Sequence, residues 1–202
     1  VRIWAEWVAK NRSVGVQGDP IVPLYTDIDN MSIMRIEETR IEETRMESGK
    51  ETDDMKVLMI NGSPRLNGNT TIALKEMEKI FAEEGVESET IQIGNKDIRG
   101  CIACGTCATR GSCGFDDLVN EIAPKFQEAD GLVVASPVYY ASANGTLISF
   151  LDRLFYSTPF DKTMKVGASV AVARRGGCSA TYDELNKFFG ISGMPIASGQ
   201  YW

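Results

Sequence analysis

The 202-residue chain is 43% apolar and 24% charged, carries a net charge of −7 and contains no histidine. The length suits a single α/β domain, and the missing histidine excludes Ser-His-Asp hydrolysis, Cys-His catalysis and histidine-based metal sites. No apolar run approaches the roughly 20 residues that span a bilayer, no secretory signal pattern is present and no basic patch marks a nucleic-acid footprint, so a cytoplasmic protein without membrane or nucleic-acid partners is expected.

Residues 1–54 differ from the rest. They hold seven basic and twelve acidic residues, which accounts for −5 of the net charge, and they repeat RIEET at 35–39 and 40–44. A period of five keeps no apolar face on a 3.6-residue helix. The stretch reads as a flexible charged leader, helical at most near Trp4 and Trp7, ahead of a patterned domain over 55–202. A translation start upstream of Met55 would explain the shift in composition, and a tether or interaction arm is the other reading.

The patterned part opens on Val57-Leu58-Met59-Ile60, a short apolar run that ends at Asn61-Gly62 and reads as a strand buried on both faces. A loop rich in Gly, Ser, Asn and Thr leads into a helix over Thr70–Glu84, with Ala73, Met77, Ile80 and Phe81 inward and Gly85 as the stop. Val86–Ile93 alternates as a second strand. Residues 94–114 are expected to be irregular. Asp116 or Asp117 caps a second helix, with Val119, Ile122 and Phe126 inward and Pro124 kinking or dividing it. Leu132–Ala135 is a third strand, 146–156 a third helix, Val166–Val172 a fourth strand and Ala180–Phe189 a fourth helix. Pro195-Ile196-Ala197 begins a fifth strand. This alternation predicts a doubly wound α/β sheet of five parallel strands. The usual last helix is missing after Trp202, which leaves one sheet face for a second copy, the leader or an absent segment to cover.

Three loops fall at the carboxyl edge of such a sheet, where ligands bind. The first, 61–70, joins a strand to a helix N-terminus and offers Ser63, Asn69 and Thr70 as donors to an anion, with Gly62 and Gly68 admitting close backbone approach. It lacks the Lys of the nucleotide triphosphate loop and the GxGxxG dinucleotide pattern. The second, 136–145, presents Tyr139 and Tyr140 as flat surfaces for a ring system. The third, 173–179, presents Arg174, Arg175, Gly176 and Gly177. A phosphate grip beside an aromatic wall suits FMN.

Cys101, Cys104, Cys107 and Cys113 are spaced C-x2-C-x2-C-x5-C. Two-residue gaps let successive thiolates face one centre, and Gly105, Gly111 and Gly114 permit the turns. Four thiolates suit an iron–sulfur cluster or zinc, and free or redox-active thiols are the remaining reading. Cys178 stands alone and reads as a buried structural thiol.

Three stretches in order, MKVLMINGSPRLNGNT, GCIACGTCATRGSCGFDDL and ADGLVVASPVYYASANGTLISFLDR, resemble the flavodoxin-like NAD(P)H-dependent FMN reductases, and among them the iron–sulfur flavoproteins. The resemblance covers residues 55–202. It implies a flavodoxin-like fold, FMN held at its phosphate by Ser63, Arg65, Asn69 and Thr70, and an isoalloxazine ring bordered by Pro137, Val138, Tyr139 and Tyr140. It further implies NAD(P)H as electron donor, a homo-oligomer, and a compact cysteine motif of the kind that holds a [4Fe-4S] cluster. Members often carry Lys where this chain has Ile148, which removes one polar contact from the third helix; the Asp152-Arg153 pair is kept. The expected activity is an FMN-dependent oxidoreductase that passes electrons from NAD(P)H, or from a reduced ferredoxin if the cluster is present, to a quinone, nitro compound or flavin. No side chain is expected to act as a covalent catalyst, because the flavin carries the chemistry. The alternatives are an electron-carrier module that docks redox partner proteins, and a redox sensor that uses its thiols.

Overall fold

The computed structural model describes residues 55–198. The charged leader and the end of the chain lie outside the described residues, and with them the expectations about the start site and the missing last helix. The elements are β1 (Lys56–Asn61), α1 (Asn69–Glu83), β2 (Glu87–Gln92), α2 (Thr106–Arg110), α3 (Leu118–Glu128), β3 (Gly131–Pro137), α4 (Gly145–Ser157), β4 (Val166–Val172) and α5 (Cys178–Ile191). The strands form one parallel sheet in the order β2-β1-β3-β4, the doubly wound order of flavodoxin-like domains.

The continuous apolar runs of β1 and β3 are explained by two-sided burial. Leu58, Ile60, Leu132 and Val134 face one way, against Val119, Ile122 and Phe126 of α3, Phe150 and Leu154 of α4, and Leu185 and Phe189 of α5. Val57, Met59, Val133 and Ala135 face the other way, against Leu74, Met77 and Phe81 of α1. Among the described residues, α1 alone supplies helix side chains to this second core. Its inward stripe is Thr70, Leu74, Met77 and Phe81, so Leu74 takes the place expected for Ala73, and Ile80 is only half buried.

Three expectations are corrected. Among the described residues the sheet has four strands, and the segment expected to begin the fifth makes a single parallel bridge, Gly167↔Ile196. Gly167 N–H donates to the Pro195 carbonyl and Ala197 N–H to the Gly167 carbonyl, each at 2.8 Å. Pro195 has no N–H with which to extend the ladder. Second, the cysteine segment is not wholly irregular: Thr106–Arg110 forms a five-residue helix between Gly105 and Gly111, both left-handed at φ 72° and 70°. Third, α3 runs undivided through Pro124. The proline takes only one ladder bond from it, while Asp117 Oδ1 caps its start by accepting from Val119 N–H at 3.1 Å and three buried apolar residues pin it to the sheet.

No helix among the described residues is long and apolar enough to cross a membrane.

Candidate functional site

β1 lies between β2 and β3, so the strand order reverses there, and the carboxyl ends of β1 and β3 form the switch point at which such sheets bind ligands. The loop after β1 is set by Asn61, which is fully buried at the strand end. Its Oδ1 accepts from Ser63 N–H at 3.0 Å, and its Nδ2 donates to Thr71 Oγ1 at 2.9 Å and Gln92 Oε1 at 3.1 Å. Gln92 also donates to the Ser63 carbonyl. Arg65 N–H donates to Ser63 Oγ at 3.2 Å. Gly94 passes directly beneath, where a Cβ would stand 2.2 Å from the Gly62 carbonyl oxygen.

This network delivers the chain to α1 with no side-chain cap at Gly68 and no acidic residue in the first turn. The leading N–H groups of a 15-residue helix therefore lie at this sheet edge with the positive end of the dipole. Ser63 and Thr70 are buried there, whereas Arg65 and Asn69 are exposed. Hydroxyls, free amides and an uncapped helix start, without a carboxylate, fit a phosphate.

The loop after β3 carries a two-residue hairpin. Tyr139 and Ser142 exchange backbone hydrogen bonds at 2.9 and 3.1 Å, and the tip residues Tyr140 and Ala141 have φ of 53° and 59°. Two positive φ values make the mirror-image turn that favours Asn-Gly; here it holds a bulky aromatic and an alanine. Tyr140 is fully exposed and Tyr139 about half exposed at 48%, while Pro137 and Val138 are half buried beneath them. Glu184 of α5 clamps the hairpin: it accepts from Ser142 Oγ at 3.0 and 2.8 Å and from Ala143 N–H at 2.8 Å. The third loop closes against it, because Gly177 (φ 92°) leaves no room for a Cβ beside Ala141. Gly176 is exposed, with nothing within 4 Å of a would-be Cβ, and Arg174 and Arg175 are exposed.

Asn144 ties the first two loops together. Its Nδ2 donates to the Gly62 carbonyl at 2.8 Å, its Oδ1 caps α4 by accepting from Thr146 N–H at 2.8 Å, and its N–H donates to Ser136 Oγ at 2.8 Å. The phosphate-type loop and the aromatic hairpin thus form one unit. Asn61, Asn144 and Glu184 are not among the residues expected from sequence; of the three, only Asn144 carries a local signal, as an N-cap type just ahead of α4.

The cysteines form a second centre beside α4. All four line one cavity of about 410 Å3 with Ile102, Phe115, Tyr156 and Ser157. Cys101 and Cys104 are exposed, Cys107 is half exposed and Cys113 is buried. Among the described residues, no three potential ligands stand close enough to hold a metal ion in this arrangement. The Thr106 hydroxyl, 3.3 Å from Cys104 Sγ, and the Thr106 backbone hold the Cys104 thiol below its ordinary range. Cys113 is fixed by Asn120, which accepts from Cys113 N–H at 2.9 Å and donates to the Cys113 and Phe115 carbonyls at 3.0 Å. Arg153 reaches Cys113 Sγ through Nε at 3.3 Å and Nη2 at 3.2 Å, and pairs with Asp117 through two bonds of 2.8 and 2.7 Å. Burial alone would push the Asp117 carboxyl up; Arg153 and the Val119 N–H outweigh it and hold the group below the usual carboxylate range. The donor set, four thiols sharing one cavity without carboxylate or imidazole, fits a sulfur-ligated metal group. Cys178, expected to be buried, is exposed at the start of α5 and donates weakly to the Ala171 carbonyl at 3.5 Å.

A family model described as NADPH-dependent FMN reductase matches residues 55–202. The chain is 41% identical over 148 residues to an iron-sulfur flavoprotein of Methanocaldococcus jannaschii, a match covering 70% of this chain and 75% of that one. It is 35% identical over 146 residues to an iron-sulfur flavoprotein of Methanosarcina thermophila, covering 70% and 76%. Among solved structures it is similar to an NADH:FMN oxidoreductase in its apo form (23% identity, TM-score 0.54, covering 71% and 73%). It is also similar to a flavodoxin from the Archaea (16% identity, TM-score 0.50, covering 72% and 80%). These last two likenesses show the fold.

Proposed function

Because the chain belongs to the NADPH-dependent FMN reductase family, we propose that it is an FMN-dependent NAD(P)H oxidoreductase that passes electrons to a small acceptor such as a quinone, a nitro compound or a flavin. The observation that carries this reading is the unit joined by Asn144: an uncapped helix start with buried hydroxyls, fastened to an aromatic hairpin at the same sheet edge. Ser63, Arg65, Asn69 and Thr70 would hold the phosphate of FMN. Pro137, Val138, Tyr139, Tyr140 and Gly176 would border its ring. When bound, FMN supplies hydride acceptance from the nicotinamide and electron delivery in one or two steps. The chain's own part is to bind, orient and shield. The left-handed Tyr140-Ala141 tip supports that role, because strained backbone of this kind persists where the surroundings over-determine it.

Cys101, Cys104, Cys107 and Cys113 would hold a [4Fe-4S] cluster, which supplies one-electron exchange. The shared cavity and the names of the two relatives support this. A reduced ferredoxin is then a fitting protein partner, and a homo-oligomer the fitting assembly.

The test is acceptor-dependent oxidation of NADH and NADPH by anaerobically purified protein, with its absorption spectrum recorded. Turnover with flavin bands supports the reading. Bound flavin without oxidation of either nicotinamide overturns it in favour of an electron carrier. Thr70→Ala should weaken FMN roughly tenfold to a hundredfold, the loss of one charge-assisted hydrogen bond of about 1.5–3 kcal/mol. Fluorescence titration of apoprotein with FMN measures this, and unchanged affinity would move the phosphate grip elsewhere.

A further inference from the structure

α4 sends two polar side chains, Arg153 and Ser157, one turn apart into the wall of the cysteine cavity. Arg153 is a charged residue only 1% exposed. One edge of its guanidinium is fixed by the two bonds to Asp117, at 2.8 and 2.7 Å, and Nη1 also donates to the Arg99 carbonyl at 3.3 Å. The remaining edge, Nε and Nη2, is thereby aimed at Cys113 Sγ, at 3.3 and 3.2 Å. Ser157 is 3% exposed and its hydroxyl has no hydrogen-bond partner. Buried hydroxyls are normally satisfied, and this one stands in the wall of a cavity whose other lining, apart from Arg153 and the thiols, is largely apolar: Ile102, Ala103, Phe115 and Tyr156.

We propose that Arg153 and Ser157 are positioning residues that donate hydrogen bonds to the sulfur atoms of the redox group held by the four cysteines, and so raise its one-electron reduction potential. This rests on the cluster reading given above. In the step concerned, one electron from an external one-electron reductant enters the cluster; no covalent bond forms or breaks and no proton is transferred. Negative charge on the sulfurs grows, and donors aimed at them favour the reduced state. Arg153 and Ser157 are themselves buried, at 1% and 3% exposure, and a hydrogen bond from a buried donor is strengthened by the low local dielectric. Arg153 acts through the Cys113 ligand. Ser157 offers a buried hydroxyl in the cavity wall that has no hydrogen-bond partner among the described residues.

The experiment uses the full chain reconstituted with iron and sulfide without oxygen and titrated with dithionite under electron paramagnetic resonance. Ser157→Ala should leave the metal-free protein at least as stable to urea and its iron content unchanged, yet shift the reduction equilibrium severalfold toward the oxidised state. Arg153→Lys, which keeps the charge but not the fork, should shift it about tenfold, equivalent to a potential lower by about 59 mV for one electron. If the Arg153 variant does not fold, unmutated protein labelled with 15N-arginine replaces it: nitrogen hyperfine coupling to the reduced cluster is expected, and its absence overturns the role of Arg153. Normal iron with wild-type potentials in the variants overturns the proposal and leaves the cluster standing. Loss of iron in a folded Ser157→Ala protein also overturns it, by making the hydroxyl a requirement of assembly. No iron in the unmutated protein overturns both this proposal and the cluster reading.

Discussion

Asp117→Ala is expected to lower the unfolding free energy by about 4 kcal/mol, of which about 3 kcal/mol comes from the ion pair, near the low end of the roughly 3–5 kcal/mol cost of breaking a buried pair, and about 1 kcal/mol from the helix cap. The low end applies because the Asp117 side chain is 32% exposed, whereas Arg153, at 1%, would be left as an uncompensated buried cation. The variant also loses the cap on Val119 N–H, an effect of about 1 kcal/mol by itself. Urea denaturation measures the sum, and a loss below about 1 kcal/mol would mean that water replaces the carboxylate. The pH dependence has a definite sign. The Asp117 carboxyl lies below its ordinary range in the folded chain, so its contribution is complete above the unfolded value and is lost as pH falls through the depressed folded value. Asp117→Asn should flatten that acid limb; parallel limbs in variant and parent would exclude Asp117 as its source.

Asn144→Ala should cost about 2–4 kcal/mol, because it removes a cap worth about 1 kcal/mol and leaves the buried Gly62 carbonyl without its donor, at about 1–3 kcal/mol. It should also release the phosphate-type loop from the hairpin and lower FMN affinity, although Asn144 is not proposed to touch the ligand. Asn144→Asp separates the two effects: it can cap Thr146 N–H but cannot donate to the Gly62 carbonyl 2.8 Å away. A variant that keeps its α4 cap but loses flavin identifies the tie as the agent. Full flavin affinity in both variants would show that the two loops hold position independently.

The main elements of the fold were legible because β1 and β3 are uninterrupted apolar runs and because α1, α3 and α4 carry periodic apolar faces between turn residues. The expected phosphate loop and tyrosine pair do meet at one sheet edge. What holds them there was not legible. Asn144 reaches back 82 residues to Gly62, and Glu184 reaches 42 to Ser142; a single polar residue that acts over such a separation leaves no periodic trace. The helix α2 was missed for a different reason: five residues between two left-handed glycines, with cysteines where apolar spacing would be sought, look like a loop. The expected fifth strand failed because three apolar residues cannot show how far a neighbour extends to meet them. Pro124 shows the reverse, since local chemistry argued for a kink or a division and the helix, with Val119, Ile122 and Phe126 buried, runs on undivided.

The Tyr140-Ala141 turn also bears on how this chain should be engineered. A stabilisation campaign would target it early, because Asn-Gly suits two left-handed positions, whereas a residue such as Tyr140 or Ala141 there costs on the order of 1–2 kcal/mol. That exchange should raise the melting temperature, and it would strip the most solvent-exposed aromatic ring from the ligand edge of the sheet. On the proposed reading, in which Tyr140 borders the flavin, thermostability screens would reward the substitutions expected to weaken flavin binding, so variants at 140 and 141 should be ranked by flavin retention before they are ranked by heat.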